Sequence, residues 1–283
     1  MSWFWMSVGC SAINFVYFKA FDRWGIKIFQ AVAANYILCV LLGLWLLPTG
    51  QTIQITTPWL PWATVLGGFY ILIFWMIGRS TQAVGVAPTA IAAKLSMVIP
   101  VTAAYLLYGD KFTPINLFAL LLAVLAIALS SKRSGERREQ AHNWQLPILI
   151  FISAGTADLL LKHTESSYLL PADNALFLVV LFGAAGLIGW LVLGFGLLKG
   201  TVRLDGKSLA AGLLLGLTNF FSVYGILFAL KTLDASLLFP LNNLAIILIS
   251  AVLAALLFRE RLQPRQYWGV GLALLAMVLL LWG

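Results

Sequence analysis

The sequence predicts an all-α, polytopic membrane protein with ten transmembrane helices in two inverted five-helix repeats, and three observations predict it. The first is composition: of 283 residues, 61% are hydrophobic and only 10% charged, whereas a soluble domain carries about 25% charged residues. The mean hydropathy is +0.96. The second is run length. Apolar stretches of about 18–25 residues follow one another along the whole chain, the length a helix needs to cross the hydrocarbon core. The third is a punctuation that recurs: Tyr108-Gly-Asp-Lys-Phe-Thr-Pro114 matches Phe258-Arg-Glu-Arg-Leu-Gln-Pro264 at a constant offset of 150. The runs lack period-2 alternation, which excludes an outer-membrane barrel.

The apolar runs place spans at about 2–20, 27–47, 59–79, 85–108, 114–131, 145–162, 174–198, 208–231, 235–258 and 264–282. The first begins Met1-Ser2-Trp3-Phe4 without a basic leader, so it reads as a membrane span and not a cleaved signal. Connections are short, and Pro48, Pro58, Pro114, Pro171 and Pro264 break helices in or beside them. The longest charged connection runs from Lys132 to Gln140 and reads as a solvated linker. It divides the chain into a first repeat (1–131), a linker (132–143) and a second repeat (144–283). Trp3, Trp5, Trp144, Trp268 and Trp282 fall near span ends, where tryptophan anchors at the interface.

Beyond Pro114 the two halves align without a gap, so that Ala119, Ala123 and Ala126 fall on Gly269, Ala273 and Ala276. Those small residues give each half one close-packing helix face. Upstream, Gly67 falls on Gly216 and Tyr70 on Asn219 at an offset of 149. Five spans is an odd number, so the second repeat enters the bilayer from the side opposite to the first. In such inverted repeats a site near the midplane can open alternately to either side.

Lysine and arginine counts set the orientation. The odd-numbered loops hold 14 of the 18, including Lys19, Arg23 and Lys27 in the first and Lys199, Arg203 and Lys207 in the seventh; the even-numbered loops hold Lys111, Lys162 and Lys231. The positive-inside rule then puts loops 1–2, 5–6, 7–8 and 9–10 in the cytoplasm of what we read as a bacterial inner (plasma) membrane, with both termini outside. The net charge of +8 thus reflects topology. No soluble segment is long enough to grip a duplex, so no nucleic-acid partner is expected. Cys10 and Cys39 lie in apolar runs and read as small buried hydrophobes.

The remaining cation is Lys94, inside the fourth span, roughly 14 Å from Gly85 and roughly 21 Å from Tyr108 at helical rise. A lysine there cannot snorkel the whole way to water, and an ionisable group at depth is a functional-site hypothesis by default. Pro88 and Pro100 flank it. Pro100 removes a backbone donor and frees a carbonyl near Ser96, the kind of interruption that lines transporter sites. At the corresponding depth of the ninth span stand Asn242 and Asn243, whose amides need partners when buried. Asn219 and Tyr224 on the eighth span, Asn14 and Asn35 on the first two, and Tyr70 and Trp75 on the third complete the candidate substrate-binding set, with Ser96. Asp158 is the acid well inside a span. Its spacing to Lys162 suits a local i, i+4 ion pair; the alternatives are a counter-ion to Lys94 or a proton-coupling carboxylate.

On the Phe258–Pro264 turn with the following Gly269/Gly271 helix, and its degenerate copy Tyr108–Pro114, the chain resembles the drug/metabolite transporter superfamily, in its ten-helix members with two EamA-type repeats. The resemblance covers nearly the whole chain. It implies a central cavity lined mainly by the third, fourth, eighth and ninth spans, and members that move amino acids, nucleotide sugars, sugar phosphates, cations or drugs. Two features depart from it: Gly109-Asp110 stands where the pattern has glutamate then arginine, and family members are commonly drawn with cytoplasmic termini.

The expected function is secondary transport of a small polar or amphipathic metabolite, amino acids or organic anions favoured, by alternating access. The alternatives are a broad-range drug exporter and a membrane-embedded sensor or assembly subunit. An enzyme is not expected, because no nucleophile with its base, metal cluster or paired carboxylates stands at depth, and no P-loop is present. No cofactor or metal is expected. The partners expected are the small-molecule substrate and the bilayer. Gly212 and Gly216 form a small-xxx-small pair suited to packing within a monomer or across a homodimer.

Overall fold

A computed structural model describes residues 2–47, 57–100, 103, 114–131, 145–170, 173–229, 235–258 and 264–282. The Tyr108–Pro114 and Phe258–Pro264 turns (apart from their terminal Pro114, Phe258 and Pro264), the Lys132–Gln140 linker, Trp144, and Lys111 and Lys231 lie outside these residues. Every described element is helical: α1 (Ser2–Arg23), α2 (Ile28–Trp45), α3 (Leu60–Ala83), α4 (Val86–Leu95), α5 (Pro114–Ser131), α6 (Gln145–Tyr168), α7 (Asn174–Leu198), α8 (Gly206–Ala229), α9 (Ala235–Phe258) and α10 (Pro264–Trp282). Six of these carry described stretches long and apolar enough to cross a membrane, and Val86–Pro100 and Tyr267–Leu279 are shorter apolar helices. A polytopic helical membrane protein is the result.

The helices form two compact units, and each draws on both sequence halves. One comprises Met1–Ala20, Met76–Thr156 and Phe221–Gly283; the other comprises Phe21–Trp75 and Ala157–Phe220. In the first, α5 lies along α10 and α4 along α9. Ala119 and Ala126 of α5 and Ala273 and Ala276 of α10 are fully buried, as expected of faces whose small side chains let backbones approach. In the second, α2 lies along α7. Each of these pairs joins helices five apart in chain order.

The directions of the helices can be read from which residues meet. On α7, a Cβ at Gly186 would lie 3.2 Å from the Cβ of Tyr36, one at Gly189 3.0 Å from that of Ala33, and one at Gly43 of α2 would lie 2.8 Å from Val179. Numbers rise along α7 as they fall along α2, so the two run antiparallel. Between α8 and α2 the numbers rise together: Gly212 abuts Ala31, and a Cβ at Gly216 would sit 2.5 Å from the Asn35 carbonyl oxygen. In the other unit Trp3 meets Phe228 and Ser7 meets Ser222, so α1 and α8 are antiparallel. α2 thus opposes α7, five helices further on, and runs with α8, while α1 opposes α8.

The lipid-facing surface is apolar at helical spacing. Leu187, Leu191, Phe195 and Leu198 form one exposed stripe on α7, while Leu181, Phe182, Ala185 and Leu193 of the same helix are buried. Between α2 and α8 the burial is polar as well. Asn219 Nδ2 donates to Asn35 Oδ1 at 3.0 Å, Asn35 Nδ2 donates to the Val32 carbonyl at 3.2 Å, and the Cys39 thiol reaches Asn35 Oδ1 and the Gly216 carbonyl at 3.5 Å. All three side chains are at most 2% exposed. The Gly212–Gly216 pair thus serves packing within the monomer.

Two outcomes follow from the α2–α8 seam. Gly212→Val places methyl groups on the Ala31 carbonyl and is expected to destabilise the fold by about 1–3 kcal/mol, an overpacking cost, read as a lowered unfolding midpoint in detergent; no change would place α8 elsewhere. A double-mutant cycle on Asn35→Ala and Asn219→Ala is expected to give a coupling of about 0.6 kcal/mol, up to about 1.7, as interhelical bonds in bilayers do; additive losses would mean the amides do not hold each other.

Candidate functional site

The fourth span is discontinuous. α4 ends at Leu95, Ser96 and Met97 form a turn, and helical backbone resumes at 98. The cause lies in the sequence: Pro100 has no N–H to give the Ser96 carbonyl, which instead accepts from the Ile99 N–H at 2.9 Å, a tighter turn than α-helix. A break in the ladder leaves carbonyls to be satisfied. Ser96 Oγ donates to the Ala93 carbonyl at 2.8 Å, and Asn243 Nδ2 of α9 donates to the Lys94 carbonyl at 3.4 Å and lies 3.4 Å from Met97 Sδ.

Lys94 stands in the last turn of α4, half-buried, where the negative end of the helix favours a cation. Its backbone meets Asn243, and Lys94 and Asn243 differ by the same 149 that relates Gly67 to Gly216. The two helices thus touch here, where α4 passes α9. Beside Asn243, Asn242 is 4% exposed, and its Oδ1 is buried with no hydrogen-bond partner among the described residues. Lys94, Ser96, Asn242 and Asn243 are therefore gathered on two packed helices of one unit.

The other residues singled out by sequence are placed as follows. In that same unit Asn14 is buried at 6% exposure, and Tyr224 packs edge-on to Trp3 (centroids 5.9 Å) and tilted against Phe228 (4.5 Å). In the second unit Asn35 and Asn219 bond each other. Tyr70 packs edge-on to Phe182 at 6.4 Å and lies close enough to Asp158 to feel its charge. Trp75, also of that unit, is half-buried; Asp158 and Lys162 are exposed on α6. Among the described residues no three His, Cys, Asp or Glu side chains gather as metal ligands would.

Three participants were not singled out. Met97 at the break and Tyr36, whose buried hydroxyl has no hydrogen-bond partner among the described residues, carry no sequence signal that separates them from packing. Cys39 does: it follows Asn35 by four residues, which puts thiol and amide on one helix face.

Against known proteins, residues 146–282 match the EamA-like transporter family. The chain is 24% identical over 281 residues to an uncharacterized protein of Haemophilus influenzae (strain ATCC 51907 / DSM 11121 / KW20 / Rd), covering 95% of this chain and 93% of that one. Among solved structures, one crystal structure of a protein superposes on 96% of this chain and 97% of its own with a TM-score of 0.58 at 13% identity, a likeness of fold. With its helical, membrane-spanning architecture and an EamA-like transporter domain over residues 146–282, consistent with the drug/metabolite transporter superfamily, the chain is an integral membrane protein and, in general terms, a membrane transporter.

Proposed function

We propose that the chain is a secondary transporter that moves a small polar or amphipathic metabolite, an amino acid or organic anion, by alternating access between its two repeats (1–131 and 144–283). The observation that carries this reading is the interrupted fourth span, with a half-buried cation in the last turn before the gap and an asparagine of the ninth span on its carbonyl. A lysine at membrane depth costs about 2.5–3.5 kcal/mol on insertion scales. An anionic group of the substrate offsets that cost while bound, and the broken backbone supplies a hinge at the same point. Asn242 and Asn243 would add directional hydrogen bonds, which an ammonium alone does not provide.

The positive charge of Lys94 disfavours cationic cargo. The loops 1–2, 5–6, 7–8 and 9–10, which hold most of the basic residues, are assigned to the cytoplasm of a bacterial inner membrane on the same charge argument. Proton coupling, where it operates, is assigned to Asp158, exposed on α6 near Tyr70.

A panel of amino acids and organic acids is first screened by thermal shift on the purified chain, since a ligand of the native state raises its melting temperature. The stabilising compound is then assayed in proteoliposomes. Lys94→Met is expected to lower its transport about 10- to 100-fold, the worth of a lost charge-assisted bond, while the variant stays monodisperse and melts as a single species. Unchanged transport would remove Lys94 from the site.

A further inference from the structure

The segments that follow α1 and α7 are pinned to one another within one unit. Each helix ends on a left-handed glycine, Gly25 (φ 66°) and Gly200 (φ 68°), which turns the chain sharply at the membrane face. Gln30 then bridges both sides: its Nε2 donates to the Arg203 carbonyl at 2.8 Å, and its Oε1 accepts from the Asp205 N–H at 2.9 Å. The Lys27 N–H donates to Ser208 Oγ at 2.9 Å, Lys27 Nζ to the Arg203 carbonyl at 3.1 Å, and Lys207 Nζ to the Trp24 carbonyl at 2.9 Å. Asp205 caps α8, accepting from the Ser208 N–H at 3.0 Å and hydroxyl at 2.5 Å. The Ser208 hydroxyl bond is the main reason its carboxyl is held below the usual carboxylate range.

The Lys27 and Lys207 ammonium groups take part in the clamp, whereas the Lys199 ammonium and the Arg203 guanidinium do not. Lys27, Lys199, Arg203 and Lys207 are all exposed, against the acids Asp22 and Asp205. Arg203 enters the clamp through its carbonyl, which leaves its guanidinium out of it. Lys199 holds its ammonium 4.3 Å above the Phe195 ring. Around these cations the surface is apolar: Trp24 is 51% exposed, Phe195 60% and Leu198 89%. Basic side chains bordered by exposed tryptophan and aliphatic groups at the end of a membrane helix match a phosphodiester headgroup with acyl chains beneath it. A soluble anion would have no use for the apolar border.

We infer that this clamped face is a docking site for an anionic glycerophospholipid, whose headgroup phosphate is held by Lys199 and Arg203 while its chains lie on Phe195, Leu198 and Trp24. The site does not include Lys94 and does not depend on what the protein carries.

The test uses the full chain in detergent, with short-chain phosphatidylglycerol, phosphatidylcholine or inorganic phosphate added; bound lipid is counted by native mass spectrometry and affinity is read by thermal shift. Phosphatidylglycerol is expected to bind and stabilise, more weakly at high salt, and phosphatidylcholine and phosphate are not. Lys199→Gln is expected to weaken phosphatidylglycerol roughly fivefold, and Lys199→Gln with Arg203→Gln roughly 25-fold, from the usual worth of one cation at an anionic surface. Arg265→Gln, at the exposed start of α10, serves as the control and is expected to bind as the parent does. Equal binding of both lipids, equal stabilisation by phosphate, or an affinity that Arg265→Gln lowers as much as Lys199→Gln would each overturn the assignment. Should the double variant fail to fold, the single Lys199→Gln variant decides.

Discussion

How closely α2 lets its neighbours approach is the constraint from which the rest of this architecture follows. In a bilayer there is no hydrophobic drive between helices, because lipid tails are as apolar as leucine; association rests on close packing and on hydrogen bonds. α2 meets both needs. Ala31, Ala33 and Ala34 admit Gly212 and Gly189 to backbone distance, and Asn35 sits between them with its amide spent on Asn219. The antiparallel register on α7 and the parallel register on α8 are both fixed along this one helix.

Where α4 crosses α9, five helices further on, Lys94 and Asn243 meet. The two repeats differ at that point: one supplies a charge and a broken helix, the other an amide. Pro100 supplies the break, Ser96 and Asn243 occupy the carbonyls around it, and Lys94 is left at the end of a helix whose dipole favours it. Each of these is a local consequence of a residue type, and together they explain how a half-buried lysine is held at the end of an apolar helix.

Much of this was legible in the residues. Apolar run length placed most of the described helices within a few residues of where they lie; the fourth, expected over 85–108, instead has its helix end at Leu95. The missing N–H of Pro100 foretold an interruption near Ser96. What the sequence could not express was tertiary partnership. Asn35 and Asn219 are 184 residues apart, and no periodicity links them; each looked like a lone polar group wanting a ligand, whereas in the fold they bond each other. The interleaving of the two units was hidden for a related reason. Hydropathy marks where a helix begins and ends, but a helix such as α8, which passes from one packing unit to the other at Phe220–Phe221, carries no mark of the change.

Opposed repeats are the central claim, and site-directed accessibility tests them most directly. In a chain with Cys10 and Cys39 replaced, single cysteines are placed at Asp22 in the last turn of α1 and at Leu170 just after α6, positions that are exposed and lie at the ends of helices five apart. Membrane-impermeant maleimide applied to sealed, oriented vesicles is predicted to label one of the two from outside and the other only after the vesicles are opened. Labelling of both from the same face would contradict inverted repeats and with them alternating access.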